Sequence, residues 1–148
     1  MGYLIQAIIA VPDALPAALP PDLSVVRLEQ GLCMVPLGAT ALERYGIPFL
    51  PLLEENCTET HPSLLKLLNT LRHVGRIAYI EAEFFGGDGT QAHLLVEEDG
   101  EVRIAIAASD AINVALKWLG VQSGGKFDEF ESVGLGRYRD TEDWLVAN

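Results

Sequence analysis

Ile77-Ala78-Tyr79-Ile80-Glu81-Ala82-Glu83-Phe84-Phe85-Gly86-Gly87-Asp88-Gly89-Thr90-Gln91-Ala92-His93-Leu94-Leu95-Val96-Glu97-Glu98-Asp99-Gly100-Glu101-Val102-Arg103-Ile104-Ala105-Ile106-Ala107 is the stretch on which the fold turns. Apolar residues recur at every second position through three runs, 77–85, 90–97 and 101–107, as in β-strands. Gly87-Asp88-Gly89 and Glu98-Asp99-Gly100 lie between them. Each loop can be read as two or three residues long. A two-residue loop pairs odd with even positions and sets Glu83 beside Ala92. A three-residue loop, its last glycine in the left-handed conformation, pairs like with like. Only the second choice yields one apolar face, made of Ile80, Ala82, Phe84, Ala92, Leu94, Val96, Val102, Ile104 and Ile106. A slip by one residue would turn that face to solvent, so the pattern predicts three-residue loops and an antiparallel meander.

Working outward, Ser109 or Asp110 starts a helix that turns Ile112, Ala115, Leu116 and Leu119 inward and ends before Gly120. This helix is expected to cover the apolar face. Upstream, Pro62 opens a helix with Leu64, Leu65, Leu67, Leu68, Leu71 and Val74 on its buried side and Gly75 at its end. Residues 3–11 form a nearly continuous apolar run, suited to a strand buried on both faces. Between them lie a loop over 12–21 with one helical turn after Asp13, a hairpin of 24–28 with 32–35 around Glu29-Gln30-Gly31, a short helix from Gly38 to Tyr45, and a loop over 47–60. All eight prolines lie at or before Pro62, so the first half reads as the more irregular. Thr40 and Ser109 each lie nine residues beyond a hairpin glycine, Gly31 and Gly100. That spacing would fit a duplicated hairpin-strand-helix unit. The expected fold class is α+β: antiparallel β-meanders packed against helices in a single globular domain, 1–148.

The chain has 148 residues, 49% of them hydrophobic and 21% charged, which is the composition of a folded domain. A chain of this length buries roughly 68–70% of its unfolded surface and needs no disulfide or metal staple. The start of the sequence lacks a basic region and a long apolar run, so neither a signal peptide nor a membrane span is expected. Cys33 and Cys57 form no CxxC pair and are expected to be free, buried thiols in a reducing cytoplasm.

Net charge is -11, unevenly placed. Residues 1–80 carry seven acids against five Lys/Arg, and residues 81–148 carry fourteen against five. That balance repels phosphate backbones and excludes nucleic acid as a partner class. A basic protein partner or a cation is electrostatically favoured instead. A homo-oligomer is also compatible with the composition.

The predicted register puts Tyr79, Glu81, Glu83, Phe85, Gln91, His93, Leu95, Glu97, Glu101, Arg103, Ala105 and Ala107 on the second face, with Glu83 directly across from His93 and Glu81 across from Leu95. Two carboxylates, an imidazole and a guanidinium would then share a semi-polar patch able to do acid/base work or hold a cation. Cross-strand pairs on an exposed sheet face would look the same from sequence. Arg137 and Arg139 follow Gly134-Leu135-Gly136. They are expected to pair internally, with Glu81 and Glu83 as candidate partners, and would otherwise clamp an anion. Glu81, Glu83, His93, Arg103, Arg137 and Arg139 are therefore the candidate binding residues. No catalytic set, metal site or cofactor motif is expected: Gly86-Gly87-Asp88-Gly89 lacks the helix and the Lys-Ser/Thr of a phosphate loop, and no GxSxG or HExxH occurs. His61 and His73 have no evident metal partners.

The run Tyr79 to Gly87 with Gln91, and the tail Gly134-Leu135-Gly136-Arg137-Tyr138-Arg139 with Thr141-Glu142-Asp143-Trp144-Leu145, resemble a family of small uncharacterised bacterial proteins. The resemblance implies a bacterial cytosolic origin and brings no activity with it. The expectation from sequence is a non-enzymatic acidic binding domain, of the kind an immunity-type inhibitor would be. The alternative is a small enzyme or cation-binding protein built on Glu81, Glu83 and His93.

Overall fold

A computed structural model describes residues 2–53, 62–72, 74–85, 88–106 and 108–147, without the side chains of Asp88 and Ala147. Six strands form one antiparallel sheet in the order β2-β3-β1-β4-β5-β6. They are β1 (Tyr3–Ala10), β2 (Val26–Arg27), β3 (Cys33–Pro36), β4 (Ile77–Phe85), β5 (Asp88–Val96) and β6 (Val102–Ile106). Among the described residues, five α-helices complete an α+β fold: α1 (Ala39–Tyr45), α2 (Pro62–Leu71), α3 (Ala111–Trp118), α4 (Glu129–Val133) and α5 (Thr141–Ala147).

The sheet is buried on both sides. On one face Ile8, Val35, Ile77, Tyr79, Ala92, Leu94 and Val96 meet Leu64, Leu67, Leu68 and Leu71 of α2, with Ala41 of α1. On the other, Ile5, Ala7, Ile9, Met34, Ala78, Ile80, Ala82 and Leu95 meet Ile112, Ala115 and Leu116 of α3, Val133 of α4 and Trp144 of α5. Burying each large aliphatic side chain contributes about 1.5–3 kcal/mol. We call these the α2 face and the α3 face. The α2 helix keeps its expected stripe, but Leu65 is only half-buried, and Val74, past the helix end, is 57% exposed.

The two hairpins of the meander differ. β5 and β6 pair Val96 with Val102 and Leu94 with Ile104, across the expected three-residue loop, and Gly100 is left-handed at φ 91°. β4 and β5 do not follow suit. Phe85 pairs with Asp88, so two residues separate the paired ends, and odd positions face even ones: Glu83 with Thr90, Glu81 with Ala92, Ile80 with His93. The expected single apolar face is thereby split. Ile80, Ala82 and Phe84 belong to the α3 face, while Ala92, Leu94, Val96, Val102, Ile104 and Ile106 belong to the α2 face. The physical reason is that both faces are dry, so the sheet has no polar side to which alternation must conform. Gly89, expected to be left-handed, has no positive φ. It is glycine for space, since a Cβ there would lie 2.2 Å from the Glu83 carbonyl oxygen and 2.4 Å from the Phe84 ring.

The duplicated unit does not appear in the topology. β1 joins its hairpin through β3, the hairpin's second strand, whereas β4 joins through β5, the first, and the helices that follow lie on opposite faces. Where β3 ends, the chain near its other end takes over the open flank of β1. Leu4 N–H donates to the Arg139 carbonyl at 2.8 Å, and Gln6 N–H to Thr141 Oγ1 at 3.1 Å.

Candidate functional site

The split register scatters the residues expected to form one patch. Glu81, fully buried, and half-buried Glu83 lie on the α2 face. His93 lies on the α3 face, 5% exposed, with its ring Nδ1 2.7 Å from the Ala111 carbonyl beneath α3. A carbonyl only accepts, so Nδ1 carries the proton. Arg103 is exposed and pairs with Glu97 at 3.1 Å. Arg137 sits 5.9 Å over the Trp144 ring. Neither Arg137 nor Arg139 reaches Glu81 or Glu83, and among the described residues neither forms an ion pair. The expectation that Glu81, Glu83 and His93 share one face of the sheet is corrected by this geometry.

Glu81 has a different role. Its Oε1 accepts from the Leu52 backbone N–H and the Tyr79 hydroxyl, at 3.0 and 2.9 Å, and its Oε2 accepts from Leu53 N–H at 3.0 Å. Gln6, paired across from it on β1, donates to the Pro48 carbonyl and accepts from Leu50 N–H. Two polar side chains in the middle of the sheet thus fasten residues 48–53 across the α2 face. Burial, then the Glu81 charge and hydrogen bond, hold the Tyr79 phenol well above its usual range, with Gln6 opposing. The polar residue that interrupts the apolar run 3–11 was the sequence signal for this latch.

What the structure does gather lies at the other face. A cleft of about 410 Å³ opens between the β4–β5 hairpin, the start of α3, and α4. Phe84 and Gln91 of the β4–β5 hairpin line it, with Gly136 and Arg139 from the chain beyond α4. Tyr3 and Phe130 contribute an edge-to-face ring pair with centroids 5.4 Å apart. Most polar groups around the cleft are committed to structure. Gln91 Oε1 accepts from Ile112 N–H at 2.7 Å, Asn113 Oδ1 from Phe130 N–H at 2.9 Å, and Tyr3 donates to the Leu135 carbonyl. Burial pushes the Tyr3 phenol upward.

Asp128 builds the rim. Its Oδ1 caps α4 by accepting from Glu131 N–H, its Oδ2 accepts from Asn113, and Glu131 in turn accepts from Phe127 N–H. This reciprocal cap pins the chain on either side of Phe127, whose side chain is nevertheless 89% exposed. The Asp-x-x-Glu spacing at 128–131 announces such a cap in the sequence; α4 went unassigned because the run is short. Exposed Asp110 heads the neighbouring helix α3.

The acidic hairpin at 97–101 is less negative than composition suggests. Glu97 is paired with both Arg76 and Arg103, and Arg72 donates to the Glu98 carbonyl. Buried Cys33 donates to the Ala10 carbonyl at 3.3 Å; Cys57, His61 and His73 lie outside the described residues. No helix among the described residues is long and apolar enough to cross a membrane. Comparison with family models, curated proteins and solved structures finds no match, so the site is read from this chain's own residues.

Proposed function

We propose that this is a non-enzymatic protein-binding domain that docks a basic partner through the rim formed by Phe127, Asp128 and Glu131 and the cleft beside it. The observation that carries the reading is Phe127: a large aromatic, almost wholly exposed, on a backbone held by the Asp128–Glu131 cap. Ordered, exposed aromatics are the side chains that anchor interfaces, because little conformational entropy is lost when they are covered. Asp128 and Glu131 flank the anchor, with Lys126 beside it in the chain and Arg139 in the cleft, so a partner bearing Lys or Arg opposite the two carboxylates and an apolar pocket for the ring complements it. Covering a basic functional surface on such a partner is how an immunity-type inhibitor would act.

Selection of random displayed peptides on the immobilised protein tests this. Enriched sequences should combine Lys/Arg with apolar residues. Their affinity should fall roughly tenfold or more in Phe127→Ser. It should also weaken as salt shortens the Debye length from ~10 Å at 0.1 M to ~3 Å at 1 M. Enrichment of acidic or neutral peptides, or equal binding to Phe127→Ser, would overturn the proposal.

A further inference from the structure

We infer that two copies of this chain join edge to edge through β6, making one continuous sheet about a twofold axis. Every backbone N–H and C=O of a sheet needs a partner or water. At the opposite edge of the sheet β2 is only two residues long, and residues 139–141 run beside β1 beyond the end of β3. β6 is left open. Glu97 N–H donates to the Glu101 carbonyl at 2.8 Å, and this sets the alternation of the ladder. Glu101, Arg103 and Ala105 turn their backbone groups toward β5, while Val102, Ile104 and Ile106 turn theirs outward. Those three N–H and three C=O groups have no partner among the described residues.

The edge carries few of the devices that discourage pairing. It has no proline, its register with β5 is unbroken from Val96–Val102 to Ala92–Ile106, and its sole charge, Arg103, points to the α3 face. Val102, Ile104 and Ile106 are half-buried β-branched side chains continuous with the α2-face core.

Such an edge is complementary to itself. In an antiparallel pairing centred on Ile104, Ile104 faces the partner's Ile104 and Val102 faces the partner's Ile106, each pair exchanging two hydrogen bonds. All outward groups of both strands are then used. Arg103 lies across from the partner's Ala105. A centre one residue earlier would set Arg103 against the partner's Arg103, so charge selects the same register. Twofold symmetry closes the contact and leaves no growing edge. A strand-to-strand contact of this length falls at the small end of specific interfaces, so the dimer is a weak one. Because each copy carries -11, its assembly strengthens with salt, opposite to the binding of a basic partner.

Amide hydrogen exchange over a roughly hundredfold range of concentration, with sedimentation in parallel, reads this directly. The amides of Val102, Ile104 and Ile106 should be slow at high concentration, where the mass is that of a dimer, and should speed up on dilution. Arg103 and Ala105, bonded to β5, should stay slow throughout. Ile104→Lys should give a monomer in which the three outward amides are fast at all concentrations; the dilution series stands by itself if that variant does not fold. The inference is overturned by a monomeric mass throughout, whether the outward amides are fast or slow. It is equally overturned by a dimer in which those amides remain fast, which would place the contact elsewhere.

Discussion

The β4–β5 hairpin buries a carboxyl group on one face of the sheet and an imidazole on the other, and the two are held in different ways. On the α2 face Glu81 is wrapped: two backbone amides of the 48–53 loop and the Tyr79 hydroxyl converge on its carboxylate. On the α3 face His93 is tethered by one hydrogen bond to the Ala111 carbonyl. The first is a hub that organises a segment with no regular secondary structure of its own; the second fastens a helix that apolar packing already holds. A buried polar group is costly in proportion to the partners it would leave unmet, so the faces should respond unequally to mutation.

The sharpest way to break this comparison is Glu81→Ala. It strands three donors and should cost about 3–5 kcal/mol in chemical denaturation, with the 48–53 segment losing amide protection first. Tyr79→Phe removes one of the three donors and should cost about 1.5–3 kcal/mol at neutral pH. It should also soften alkaline unfolding. Burial raises the folded-state pKa of both Tyr79 and Tyr3 above the unfolded value near ~10. Their contribution to stability is therefore intact below about pH 10 and is lost as pH rises beyond it, where the unfolded chain sheds protons first. A denaturation series between neutral and strongly alkaline pH should show a shallower decline in Tyr79→Phe than in the parent protein. The smallest effect belongs to the other face: His93→Leu leaves one carbonyl unmet and should cost about 1–2 kcal/mol. If His93→Leu proved as damaging as Glu81→Ala, the distinction between hub and tether would fail.

The same two residues show where the sequence was legible and where it was not. The strand expected over 3–11 is β1, Tyr3–Ala10, buried on both faces from Ile5 onward with Val11 exposed beyond it, and the β5–β6 hairpin reads correctly down to its left-handed glycine, Gly100. The β4–β5 hairpin departs from its expected register because its polar residues do not mark a solvated face. A strand hydrogen-bonded to β1 inherits β1's surroundings, and in a sheet dry on both sides a glutamate and a histidine mark hydrogen-bond obligations on opposite faces. The candidate cleft was less legible still. Phe84, Gln91, Gly136 and Arg139 meet only because the end of the chain is brought beside β1, and no local pattern encodes that approach. Phe127 is a lone aromatic in a polar loop, a signal too weak to weigh before its exposure and fixed backbone are known.

The closure of β1 by residues 139–141 has a consequence for the order of events in folding. Gln6 and Thr141 touch across a sequence separation of 135, and the strand at the centre of the sheet borrows its pairing from both β4 and that distant segment. A nascent chain emerging from a ribosome therefore holds its central strand with one flank unfinished until residues 139–141 have been made. Contacts this remote in sequence are slow to form, because the loop they close must be ordered before they reward it. During that interval the backbone of β1 is an exposed template, and a chaperone or a tethered neighbour that shields residues 4–6 would protect the protein at its most vulnerable stage.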